Sequence, residues 1–173
     1  NSGIYREYPG SGFLDFHGEK IFILSARGIL GFHDNIKNIE NKLSIKQIKN
    51  NIHNFIGLNE FLKKGWFSIK DLHIHENKIF VSYTEEVISK CWNTSVIWAE
   101  INYTNLVFEK LFSHENCINE ISPEGEDFSA HQSGGEIIKY DKNNILLSVG
   151  DYRRRYHAQD LQSINGKIIM INI

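Results

Sequence analysis

The chain has 173 residues, the size of one domain, with 41% hydrophobic and 23% charged residues and a formal charge of −2. That balance excludes wholesale disorder and a basic nucleic-acid-binding domain. No run of about eighteen apolar residues occurs, so no helical membrane span is expected.

The chain opens on Asn1-Ser2-Gly3 with neither an initiator Met nor a charged-then-apolar leader, so any signal peptide is expected to have been removed or never included. From there the sequence predicts short strands over Phe13–Phe16, Lys20–Ser25 and Gly28–His33. A short helix over Asn59–Lys64, capped by Asn59, is the one helical candidate. Strands follow over Ile69–His75, Lys78–Thr84, Ser95–Asn102 and Leu106–Phe112. The last three are Gly135–Asp141, Ile145–Gly150 and Lys167–Ile173. Each is bounded by Gly, Asn, Asp or Ser, as strands of an antiparallel meander are. The class is all-β. The chain stops within the final strand, at Ile171-Asn172-Ile173, and therefore reads as a fragment.

One strand–turn–strand pattern recurs at Phe13–Leu24, Leu72–Ser82 and Ile137–Ser148. The second strands begin at Ile21, Ile79 and Ile145, intervals of 58 and 66 residues. A period near sixty suits a four-stranded propeller blade with one long loop. The blade-like repeats cover residues 13–56, 66–115 and 131–173 of a single partial domain. Propellers close with about four to eight such blades, which three cannot do, so about half of a β-propeller is expected. A two-sheet sandwich of meanders would show similar strands, but the aligned hairpins favour the propeller.

The densest polar cluster lies between Phe128 and Glu136 and is followed by Leu147–Asp151 and the loop Tyr152–His157. A hairpin turn centred near Lys142 brings His131 opposite the region of Asp151 to Arg153. A carboxylate beside an imidazole fixes its tautomer and raises its basicity, which suits a general base. A structural His–Asp pair at a strand end is the alternative. Gly134 and Gly135 would let a flat ligand approach the backbone.

The stretch His131–Asp151, with Ala158-Gln-Asp160 and Ser163–Ile171 after it, resembles the glucose/sorbosone dehydrogenase family. The shared pattern is a His-x-x-Gly strand, a hairpin ending Val-Gly-Asp, then Ala-Gln-Asp and Gly-Lys-Ile. Weaker similarity runs upstream through Gly65-Trp66, Asp71-Leu72 and Ile79–Thr84, and the whole corresponds to the N-terminal half of the family's domain. The resemblance implies a six-bladed soluble quinoprotein that uses pyrroloquinoline quinone and calcium. It would oxidise a sugar or related alcohol and reside in the periplasm or be secreted. His131 matches the base that takes the hydroxyl proton, and Asp151 the carboxylate that orients it. Gln132, Arg153 and Arg154 are candidate contacts to the quinone, while the calcium ligands fall largely outside this chain. The family's quinone-contacting Gln is absent, since Lys63–Ser68 reads Lys-Lys-Gly-Trp-Phe-Ser. A non-catalytic propeller binding carbohydrate or a protein partner is the alternative function.

Arg153–Arg155 could meet an anionic ligand or form a solvated loop. His73 and His75 share a strand face but have no third metal ligand nearby, so no metal site is expected on them. The acidic group Glu120, Glu124, Glu126 and Asp127 lacks calcium-loop spacing and reads as exposed loop. In an extended register around Thr104, Cys91 and Cys117 lie opposite each other, leaving both a disulfide and two free thiols open. A bond would accord with an oxidising compartment.

Overall fold

The computed structural model describes residues 12–35, 37, 44–56, 68–123 and 125–173. The expected helix at 59–64 lies outside them, as does the 63–67 part of the segment that lacks the family's quinone-contacting Gln. Among the described residues the strands are, in chain order, β1 (Gly12–His17), β2 (Lys20–Ser25), β3 (Leu30–His33) and β4 (Lys46–Asn50). Next come β5 (Ile69–His75), β6 (Lys78–Ile88), β7 (Cys91–Glu100), β8 (Asn105–Leu106), β9 (Glu109–Phe112) and β10 (Ile118–Asn119). The chain closes with β11 (Gly134–Lys139), β12 (Asn144–Val149) and β13 (Lys167–Asn172).

These strands form three sheets. The first is the meander β1-β2-β3-β4, extended by a short parallel pairing of β4 with β8. The second is β5-β6-β7, with β9 and β10 both antiparallel to β7. The third is β11-β12-β13, three strands where a four-stranded blade was expected. The first strand of each sheet, β1, β5 and β11, is linked to its neighbour by a carboxylate. Asp15 Oδ2 accepts the Ile74 N–H at 2.5 Å, and Asp71 Oδ2 accepts the Ile137 N–H at 2.7 Å. The arrangement is that of successive propeller blades.

Strand alternation sends one set of side chains towards the following sheet and the other towards the preceding one. Phe22, Leu24 and Phe32 of the first sheet pack on Ile79, Val81 and Ile97 of the second. Phe80, Val96 and the partly buried Trp98 on the opposite face pack on Ile145, Leu147 and Ile171 of the third. The middle sheet is thus apolar on both sides, which a sheet covered on both faces requires.

Three differences from the sequence reading have physical causes. The Lys46–Asn50 strand carries a single buried apolar side chain, Ile48, and so shows no alternation to read. The β6–β7 hairpin runs further than its apolar stretch, through Glu85 and Glu86 paired with Asn93 and Trp92. Its polar groups are satisfied there: Asn93 Nδ2 donates to Asn116 O at 2.7 Å, and Ser95 Oγ to Glu85 Oε2 at 2.5 Å. Cys91 and Cys117 form a disulfide with Cα atoms 5.3 Å apart. They are not direct partners, because β10 sets Asn119 opposite Cys91; a bulge in the β7–β9 pairing displaces the simple register.

Candidate functional site

The β11–β12 hairpin has the register centred near Lys142, with Ile138 opposite Leu146 and Lys139 opposite Ile145. Beyond it the two chains stay joined. Gly150 N–H donates to Ser133 O at 2.7 Å and Tyr152 N–H to Gln132 O at 3.1 Å, while Ser129 N–H returns to Tyr152 O at 3.0 Å. Between these rungs Ala130–Gln132 makes one 3-10 turn, which carries His131 and Gln132 exposed side by side. Thr94 Oγ1 reaches in from the second sheet, donating to Ser133 O at 2.6 Å and lying 3.0 Å from the Tyr152 hydroxyl. The Tyr152 ring is fully buried and stacks on Phe128 at 5.6 Å. His131 therefore stands on a turn fixed from both flanks.

Asp151, half-buried, follows β12 at this same end of the hairpin. Its Oδ1 accepts the Arg153 N–H at 3.0 Å and its carbonyl the Arg154 N–H at 2.7 Å. These bonds hold the sharp bend where Tyr152 and Arg153 both adopt positive φ, 53° and 71°.

Lys70 on β5 belongs to the site, although the sequence did not single it out. Its Nζ donates to Ala130 O at 3.1 Å, bracing the turn that carries His131. Burial pushes its amine down to about 8. The only sequence signal is a lysine set between the strand residues Ile69 and Asp71, and its partner lies 60 residues away.

The structure corrects the reading of the two glycines. A Cβ on Gly135 would lie 2.2 Å from Lys70 Cβ, and one on Gly134 would lie 2.7 Å from Ser148 O. With φ of +116° and +70°, these glycines admit protein, not a flat ligand. Arg154 is also redirected. Its side chain is 2% exposed and its guanidinium donates to Asp127 O (2.8 Å) and Asn119 O (3.2 Å), so it ties loops together. Arg153 remains half-exposed, 3.4 Å from Asp127 Oδ2.

The inner strands carry further titratable groups. Burial raises the Asp71 carboxyl above its usual range, against the N–H bonds from Ile137 and Leu72. Burial lowers His73, whose Nδ1 lies 3.5 Å from Asp15 Oδ2. His75 Nε2 bonds Lys142 O at 3.0 Å. Glu120, expected in an exposed acidic loop, accepts the Trp92 indole N–H at 2.6 Å. Among the described residues no group of three or more His, Cys, Asp or Glu could hold a metal ion.

The fold is that of solved sugar dehydrogenases. No family model and no curated protein matches the sequence. A structure described as a glucose dehydrogenase superposes with a TM-score of 0.65 at 12% identity, over 96% of this chain and 48% of its own. The soluble aldose sugar dehydrogenase of Escherichia coli, in its apo-form, gives 0.62 at 18% identity, over 94% and 44%. A glucose dehydrogenase-like oxidoreductase of Thermus thermophilus gives 0.59 at 17% identity, again over 94% and 44%. The chain spans about half the length of the structures it matches.

Proposed function

We propose that this chain is part of a sugar dehydrogenase in which His131 takes the proton from the hydroxyl being oxidised. The observation that carries the reading is the exposed imidazole on a braced turn, in a fold shared with glucose and aldose sugar dehydrogenases. Positioned proton transfer of this kind contributes on the order of 10²–10⁴ in rate.

Pyrroloquinoline quinone with calcium, when bound, supplies an acceptor for the hydride that leaves the sugar carbon. The residues here suit one edge of such a planar, carboxylate-bearing group. Gln132 lies beside His131 as an amide donor, and the half-exposed Arg153 offers a cation. Arg154 does not join them, being held by carbonyls.

His131 binds the substrate hydroxyl and accepts its proton as the C–H bond breaks, so charge does not build up on the oxygen. Asp151 holds the bend beside the turn and, in this proposal, keeps the imidazole oriented. A periplasmic or secreted setting is part of the reading, supported by the Cys91–Cys117 bond.

The test is reconstitution of the full-length protein, of which this chain is a part, with calcium and the quinone, followed by dye reduction over a panel of aldoses and simple alcohols. Sugar-dependent dye reduction that requires the quinone is the expected result. Sugar binding with no dye reduction under any condition would replace this reading with a non-catalytic propeller.

A further inference from the structure

We infer that Asn102 is an acceptor for an N-linked oligosaccharide, carried at the end of the sheets opposite His131. The inference shares with the proposed function only a setting outside the cytosol, which the Cys91–Cys117 bond supports. It uses nothing of the dehydrogenase chemistry.

The motif Asn-x-Ser/Thr, with x other than Pro, marks an amide that oligosaccharyl transfer uses. It occurs at Asn93-Thr94-Ser95 and at Asn102-Tyr103-Thr104. The fold treats the two oppositely. Asn93 lies within β7, fully buried, with Nδ2 donating to Asn116 O at 2.7 Å. Ser95, which supplies the hydroxyl of that motif, is also fully buried and donates to Glu85 Oε2 at 2.5 Å. A bulky, hydrated oligosaccharide on Asn93 would have to displace these bonds and the sheet around them.

Asn102 and Thr104 are exposed in the turn that follows β7. Thr104 donates to Asn102 Oδ1 twice, from its N–H at 2.9 Å and from Oγ1 at 2.7 Å, and Asn105 N–H adds a third bond at 3.3 Å. These bonds polarise the amide through its oxygen and leave Nδ2 without an acceptor among the described residues. Tyr103, half-buried, anchors the turn from between them. Its hydroxyl lies 2.6 Å from His17 Nδ1 and its ring packs 5.1 Å from that of Phe32. The middle residue of the motif thus turns in while the acceptor and the hydroxyl residue stay at the surface.

The turn lies at the Lys78 end of the second sheet. Glu100 pairs with Lys78, and Ile101 N–H donates to Asn77 O at 2.8 Å. Lys70, which braces the turn of His131, sits near the other end of β5. An oligosaccharide on Asn102 is therefore far along the sheet from the candidate site. The two sheets that border it, the first and the second, both lie within this chain.

The donor class is a polyisoprenyl-diphosphate oligosaccharide. Asn102 Nδ2 bonds to the sugar C1 as the C1–O bond to phosphate breaks. The diphosphate leaves with the bonding pair, and one amide proton passes to a base of the transferase. Nothing is oxidised or reduced.

The test is secretion of the full-length protein, of which this chain is a part, from a eukaryotic cell line. Peptide N-glycosidase treatment in heavy-oxygen water, read by peptide mass spectrometry, should place the label at Asn102 and not at Asn93. Asn102→Gln and Thr104→Ala should each lose one oligosaccharide from the intact mass, while Thr104→Ser should keep it. An unlabelled Asn102 in the secreted, disulfide-bonded protein overturns the inference. So does label at Asn93 instead, or label at Asn102 that survives Thr104→Ala. Dye reduction by the same preparation reports on the proposed function separately, so each reading can fail without the other.

Discussion

Lys70 Nζ donates to Ala130 O at 3.1 Å, and the stem of the same side chain occupies the space that a Cβ on Gly135 would need. One partly buried lysine on the inner strand of the second sheet therefore fixes both ends of the segment that carries His131. Because burial holds its amine at about 8 against 10.5 in an unfolded chain, the unfolded state binds more protons between those values. Stability contributed at this site should rise with pH across that window. Relative to Lys70→Met, the parent should gain up to about 3 kcal/mol between pH 8 and 10.5, read from urea midpoints. Identical pH profiles for the two proteins would contradict the assignment.

Gly135→Ala should destabilise the fold by about 2 kcal/mol or more. The new methyl meets Lys70 Cβ at 2.2 Å on a backbone with φ of +116°. Gly18→Ala, at φ +63° with open space around it, should cost less, and paired denaturant titrations compare them.

Glu85 joins β6, β7 and β9, accepting from Ser95 Oγ, Ser113 Oγ (2.6 Å) and Lys110. Burial opposes its charge, but the Lys110, Ser113 and Ser95 bonds outweigh it and hold the carboxyl below its ordinary 4.5. Its contribution is therefore present above that value and disappears as pH falls through the lower folded-state value. Glu85→Gln should lose about 1–3 kcal/mol at pH 7 and less at pH 3, measured by urea unfolding.

The Cys91–Cys117 bond closes a loop of 26 residues. Replacing both cysteines with Ala should lower stability by about 3 kcal/mol, and a reducing agent should then have no further effect on the unfolding curve.

Short apolar runs bounded by Gly, Asn, Asp or Ser were legible from sequence, which is why Lys20–Ser25 and Ile69–His75 match residue for residue. The β11–β12 register was legible too, because turn position alone sets the pairing. Long-range polar satisfaction was not. Nothing local marks Arg154 as a buried strut for carbonyls at Asn119 and Asp127, or Gly135 as room for a lysine 65 positions earlier. In the site, the sequence located His131 and Asp151 at one end of a hairpin, but the braces from Lys70 and Thr94 arise only when three sheets meet.

Proton transfer by His131 is tested most directly by steady-state dye reduction with the quinone- and calcium-reconstituted full-length protein and its His131→Ala variant. Turnover of the variant should fall about a hundredfold or more below the parent, with the fold intact by circular dichroism. Full turnover in the His131→Ala protein would contradict it.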